Sequence, residues 1–175
     1  LDGARLANAV AVTGRALSDY GSLFDTVSFC LSKGLGAPVG SVLVGTADEM
    51  ARARVQRKRL GAGWRQAGLL AAAGLHAVEH NMDRIVEDHR AASSLARAIN
   101  EACPGAVDEA SVETNIVLIP VAGAPGVAAG LAEQGVRISV LGPSSLRAVT
   151  HMDVTEEQCL EAGALIGAGL AAASA

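Results

Sequence analysis

The chain holds only two lysines, Lys33 and Lys58, among its 175 residues. Lys33 lies in Ser28-Phe29-Cys30-Leu31-Ser32-Lys33-Gly34-Leu35-Gly36, between an apolar β-type run and a pair of glycines. Apolar flanks disfavour the ammonium form of a lysine and leave a nucleophilic amine, which is what Schiff-base chemistry with a carbonyl compound needs. The glycines beside it let a bulky planar ligand approach the backbone. Two plainer readings stand next to this one, a phosphate-binding loop and a strand-end lysine. The full GxxxxGK[ST] pattern is absent, which argues against a nucleoside triphosphate site. Asp2, in Asp2-Gly3-Ala4-Arg5, is the second feature. A carboxylate at a strand end in an apolar region calls for a cationic partner. Arg5 is one candidate and would make the pair structural; the protonated ring nitrogen of pyridoxal phosphate (PLP) is the other.

Further cations cluster downstream. Arg52, Arg54, Arg57, Lys58 and Arg59 crowd one stretch, followed by a Gly61-x-Gly63 turn and Arg65. Such a run is ordinarily a solvated helix face, and its tightness singles out only Lys58 and Arg65 as candidate ligand-binding groups. Arg147 stands at the end of an apolar run, where a surface charge is the plain reading, with His151 close behind. His76, His80 and His89 fall at helical positions and read as surface or packing residues.

These groups need a scaffold, and the hydrophobic pattern supplies one. Helical spacing predicts helices over 5–12, 48–59, 64–80, 82–102 and 126–134, and a closing helix over 162–175. β-rich runs predict strands over 26–31, 41–44, 115–121, 136–140 and 146–150. Gly14 closes the first helix, Asn81 reads as an N-cap, and Thr155-Glu156-Glu157-Gln158 reads as a capping box. The helix over 64–80 is alanine-rich enough to be buried on most sides. Before residue 80 short strands alternate with helices, as in a sheet covered on both faces. Asp2 and Lys33, separated by a helix and a strand, then belong at the ends of adjacent strands, where ligands collect in α/β sheets. The expected division is 1–80, the rear part of a large α/β domain, and 81–175, a small α+β domain.

Composition narrows the remaining classes. Half the residues are hydrophobic and the net charge is −4, which excludes disorder. No apolar run is long enough to span a bilayer. With 2% aromatic residues and a pI near 5.5, the chain offers neither the basic field nor the stacking surfaces of a nucleic-acid binder. Cys30, Cys103 and Cys159 form no CxxC pair and read as buried thiols of a reducing compartment. The chain starts at Leu1, almost inside an element, and is expected to be the C-terminal part of something longer.

Four blocks carry a resemblance. Asp2-Gly3-Ala4-Arg5-Leu6-Ala7-Asn8-Ala9, the stretch from Ser28 to Ser41, Gly61-Ala62-Gly63-Trp64-Arg65-Gln66-Ala67-Gly68, and Leu146-Arg147-Ala148-Val149-Thr150-His151-Met152-Asp153-Val154 resemble successive blocks of the L-threonine aldolase family. The resemblance implies an α/β, fold-type I PLP-dependent three-layer fold, here the second part of the large domain plus the small C-terminal domain. It implies cleavage of L-threonine, L-allo-threonine and related β-hydroxy-α-amino acids to glycine and an aldehyde. By the same resemblance Lys33 forms the internal aldimine and Asp2 keeps the pyridine nitrogen protonated. Arg5 approaches the cofactor's phenolic oxygen and the substrate carboxylate, and Arg147 is the main carboxylate clamp. Lys58 and Arg65 reach cofactor phosphate across a subunit interface. No metal, nucleic acid or membrane partner is implied; a cytoplasmic homotetramer of active dimers is. The family's stacking and base histidines and its phosphate cradle belong to an N-terminal half with no matching block here. The alternatives are another fold-type I lyase working by β-elimination, and a non-catalytic fragment.

Overall fold

The computed structural model describes residues 1–174, with one unit spanning Leu1–Val86 and a second beginning at Glu87. The first unit is built on a sheet of β1 (Asp2–Gly3), β2 (Thr26–Cys30) and β3 (Ser41–Gly45), in that order. β1 runs parallel to β2, with Asp2 opposite Ser28 and Gly3 opposite Phe29, and β3 is antiparallel to β2. Between β1 and β2 lie α1 (Leu6–Thr13) and α2 (Leu17–Gly21); α3 (Ala47–Arg59) and α4 (Gly68–His80) follow β3. Gly14 closes α1 as the sequence predicts, with its N–H on the Val10 carbonyl. Thr46 caps α3 through a reciprocal pair of bonds with Glu49, which satisfies two of the amides the helix start leaves free.

Register explains where the apolar surface goes. Val27 pairs with Val44 and Phe29 with Val42. Opposed residues share a face, so these four side chains form one apolar row. Together with Leu6 and Leu31 they face a cavity of about 630 Å³, whose far wall includes Ala71, Leu75 and Val78 of α4. The sheet is therefore not covered on both faces as the pattern predicts: every residue of β3 is exposed. Nor is α4 buried on most sides. It begins at Gly68 rather than 64, and only Gly74 and Ala77 are buried in it. A short core does form at the end of β2, where Leu31, Leu35 and Ala37 pack with Ala7, Ala77 and Ile85.

Asn81 also departs from expectation. It is the C-cap of α4, its N–H on the Ala77 carbonyl, and its side-chain amide donates to the Leu35 carbonyl at 2.8 Å. The residue ends one helix and ties it to the segment that carries Lys33.

The second unit is mixed. α5 (Ile85–Ala102), whose first turn spans the division, is amphipathic, and its Ala92, Leu95, Ala96 and Ile99 enter the core. β4 (Ile116–Pro120), β5 (Ser139–Val140) and β6 (Ser145–Val149) form an antiparallel sheet in the order β4-β6-β5. β5 is shorter than the predicted strand over 136–140, because the chain before it is not paired. α6 (Ala124–Glu133) and α7 (Glu156–Ser174) complete the unit, and the Thr155–Gln158 capping box forms with both reciprocal bonds. The last residue of the expected closing helix, Ala175, lies outside the described residues.

α7 meets α5 through two glycines. A Cβ at Gly163 would fall 2.6 Å from the Ala98 methyl and 2.8 Å from the Leu95 carbonyl. One at Gly167 would fall 2.6 Å from both the Ala102 methyl and the Ile99 carbonyl. Helix propensity favours Gly→Ala by about 1 kcal/mol, but overpacking against backbone that cannot yield costs about 1–3 kcal/mol. Gly163→Ala and Gly167→Ala are therefore expected to lower Tm. Gly130→Ala, in α6 with open space around it, is expected to raise it. Thermal denaturation of the three variants decides the matter; a higher Tm for Gly167→Ala would show that α7 can shift.

Candidate functional site

β1 and β2 end side by side because they run parallel, and Lys33 follows the end of β2 by three residues. Asp2 stands on β1 opposite Ser28. An amine and a carboxylate are thus delivered to the carboxyl edge of two adjacent strands, the edge at which α/β sheets bind ligands. The Lys33 segment is held from several sides. The Leu31 N–H donates to the Gly40 carbonyl at 3.0 Å, the Gly36 N–H to the Lys33 carbonyl at 2.8 Å, and the Ala37 N–H to the Leu31 carbonyl at 3.0 Å. Leu35, 1% exposed, anchors the segment in the short core. Lys33 itself is exposed, so the desolvation expected from its apolar flanks is not found in the described chain. Its amine donates instead to Cys30 Sγ at 3.7 Å.

Asp2 is also exposed, and Oδ1 accepts the Ala4 N–H at 3.1 Å. Among the described residues it forms no ion pair with Arg5. Arg5, half-buried, occupies the N-cap position of α1 without a capping bond, so its guanidinium is not consumed by the helix. Lys58 lies in the last turn of α3 and Arg65 in the connection to α4, both exposed. The Lys58 side chain folds over Gly63: a Cβ there would lie 2.9 Å from both its Cδ and its Nζ.

In the second unit Arg147 sits in the middle of β6, opposite Leu118 on one side and Ser139 on the other. Its Nε is buried without a hydrogen-bond partner. An orphaned guanidinium N–H is uncommon, and a fork with an open donor is suited to a carboxylate. Arg147 and His151 border a cavity of about 340 Å³ together with Arg137, Thr150 and Gln158. His151 Nδ1 accepts the Asp153 N–H at 3.2 Å, which fixes the ring. His76 and His80 meet on the exposed face of α4, with ring centroids 4.5 Å apart and planes tilted by 50°.

Two residues escaped the sequence reading. Asn81 was legible only as a helix-boundary residue, and its sense was inverted. Cys30 was counted with the buried thiols, yet Cys30 and Cys103 are partly exposed and only Cys159 is buried; all three are free. The signal for Cys30 is its place, the last residue of a strand and three before the lysine.

In the first unit an exposed primary amine follows one strand and a carboxylate stands on its parallel neighbour; in the second a guanidinium N–H is buried without a partner. Residues 1–123 match the beta-eliminating lyase family, and the chain belongs to it. Among curated relatives, the low specificity L-threonine aldolase of Escherichia coli K12 is 40% identical over 164 residues, covering 94% of this chain and 48% of the relative. Low-specificity L-threonine aldolase 1 of Arabidopsis thaliana is 38% identical over 160 residues, covering 89% of this chain and 45% of the relative. The chain spans about half the length of the curated relatives it matches. Solved structures share its fold. The threonine aldolase of Leishmania major superposes with TM-score 0.74 at 22% identity, over 95% of this chain and 50% of that one. The ornithine aminotransferase of Toxoplasma gondii, whose active site holds PLP at partial occupancy, superposes with TM-score 0.65 at 18% identity, over 99% of this chain and 42% of that one. The α/β, fold-type I architecture expected from the sequence is thereby established.

Among the described residues no group of three His, Cys, Asp or Glu side chains is arranged to hold a metal ion. No described helix is long and apolar enough to cross a membrane.

Proposed function

We propose that this chain is the part of a PLP-dependent lyase that supplies the reactive amine, and that the whole protein splits β-hydroxy-α-amino acids into glycine and an aldehyde. The observation that carries the reading is the delivery of Lys33 and Asp2 to one edge of paired parallel strands, in a chain 40% identical to an L-threonine aldolase over 94% of its length. When bound, PLP supplies a conjugated ring that accepts the electron pair released as the substrate's Cα–Cβ bond breaks. Lys33 would hold the cofactor's aldehyde carbon through its amine. Asp2 would face the ring nitrogen and keep a proton on it, for which its Oδ2 remains available while Oδ1 takes the Ala4 N–H. Arg5 would reach the phenolic oxygen, and Lys58 and Arg65 the phosphate.

Arg147 would hold the substrate carboxylate by its fork and so fix which bond at Cα breaks. The supporting feature is its orphaned Nε. Arg147→Leu is expected to raise KM for L-threonine by about a hundredfold, since truncating one partner of a hydrogen-bonded charge pair costs roughly 2–5 kcal/mol. Arg147→Lys should recover little, because an ammonium lacks the planar fork. A KM unchanged in both variants would remove Arg147 from the site.

Lys58 and Arg65, exposed at the end of α3 and beyond it, suit groups that complete a neighbouring subunit's site, and we read the protein as a cytoplasmic homo-oligomer, a dimer of dimers. The reaction class is tested by product analysis of the full-length protein with L-threonine and L-tyrosine. Glycine and acetaldehyde support the aldol cleavage; pyruvate and ammonia would establish β-elimination instead.

A further inference from the structure

Cys30 and Lys33 form an amine–thiol pair at the edge of the first sheet. Cys30 is the last residue of β2, opposite Ser41 of β3, so its position is fixed by the strand ladder. Its Sγ lies 3.6 Å from Ser32 Oγ and accepts from Lys33 Nζ at 3.7 Å. Lys33 is the reverse: its backbone is clamped by the Gly36 N–H, while its side chain is exposed and free to swing. A long, solvated side chain disperses over many rotamers, and holding it in one place raises the effective concentration of its amine. The sulfur is the acceptor within reach that is itself held still.

We propose that Cys30 is a positioning residue for Lys33, its sulfur parking the lysine's amine at the strand edge whenever that amine is not joined to a carbonyl. The proposal rests on the reading of Lys33 as the carbonyl-reactive lysine. The coupling is reciprocal. Burial raises the Cys30 thiol, but the Ser32 hydroxyl and N–H, the Lys33 charge and the Ser41 hydroxyl together bring it below its ordinary value. Cys159 is its opposite: burial, with the carboxylates of Glu156 and Asp88 adding to it, pushes that thiol up. Thiolate character governs alkylation, so Cys30 reports on its partner.

The test uses the full-length apoprotein. Iodoacetamide labelling followed by peptide mapping should find Cys30 modified faster than Cys159, and severalfold more slowly in Lys33→Ala, with Cys103 unaffected. Lys33→Arg, which keeps a cation, should label closer to the wild type. Added PLP should build its protein-bound absorbance severalfold more slowly in Cys30→Ala, with partial rescue in Cys30→Ser, which keeps an acceptor of shorter reach. A labelling rate indifferent to Lys33→Ala overturns the proposal, as does loading of Cys30→Ala at the wild-type rate. Failure of the underlying reading looks different: Lys33→Ala would then acquire the protein-bound absorbance itself.

Discussion

Lys33→Ala is expected to abolish turnover of β-hydroxy-α-amino acids, by at least about a thousandfold, and to remove the visible absorbance of bound PLP. Removing the nucleophile of a covalent mechanism removes the step rather than slowing it, and losses of this size or larger are the usual outcome. The fold gives no reason for collateral damage. The Lys33 side chain is exposed, and the bonds that shape its segment, Gly36 to Lys33 and Ala37 to Leu31, run between backbone groups that alanine retains. Thermal stability should therefore match the wild type. The chain supplies its own control, because its one other lysine is Lys58. Lys58→Ala, which removes a cation packed over Gly63, should weaken cofactor binding but leave the absorbance attainable at higher PLP. If Lys58→Ala loses the band and Lys33→Ala keeps it, the assignment of the two lysines is reversed.

How much of this was legible beforehand depends on what each residue's role rests upon. Roles set by local chemistry read directly. Gly14 closes α1, Thr155 and Gln158 cap α7, and the helical spacing of Leu95, Ile99 and their neighbours marks the buried face of α5. The parallel pairing of β1, which carries Asp2, with β2, which leads to Lys33, also followed, because an intervening helix leaves few ways to join parallel strands. Roles set by tertiary partners did not read. The apolar character of β2 and β3 shows that these residues suit a buried face, but it names no element to cover them, and β3 is exposed. Alanine in α4 was taken for burial, although alanine equally marks a good helix former at the surface. Asn81 failed for a similar reason: asparagine serves both helix ends, and the backbone bond to the Ala77 carbonyl, with the side-chain bond to Leu35, appears only in the folded chain. Lys33 shows the same division in one residue. Its place between a β run and a pair of glycines was evident in the sequence, whereas its exposure and its contact with Cys30 Sγ required the structure.

Asp2→Asn should retain the fold and lose about a hundred- to a thousandfold in turnover. The substitution is nearly isosteric, and the asparagine carbonyl can still accept the Ala4 N–H that Asp2 Oδ1 accepts now. What disappears is the negative charge. A carboxylate facing a pyridine nitrogen favours its protonated form, and the amide does not, so the ring loses its formal positive charge and with it much of its capacity to accept electrons. Removing one preorganised electrostatic group from an active site commonly costs this much. The alternative partner for Asp2, the Arg5 guanidinium, makes a different prediction. A structural Asp2–Arg5 pair would make Asp2→Asn and Arg5→Gln equally destabilising and would leave turnover per folded molecule unchanged. No such pair forms among the described residues, and both side chains stand at least partly open to solvent, so neither variant should lower Tm appreciably. Steady-state rates measured beside thermal denaturation separate the two cases. Wild-type turnover in Asp2→Asn would remove Asp2 from the site, whatever became of Lys33.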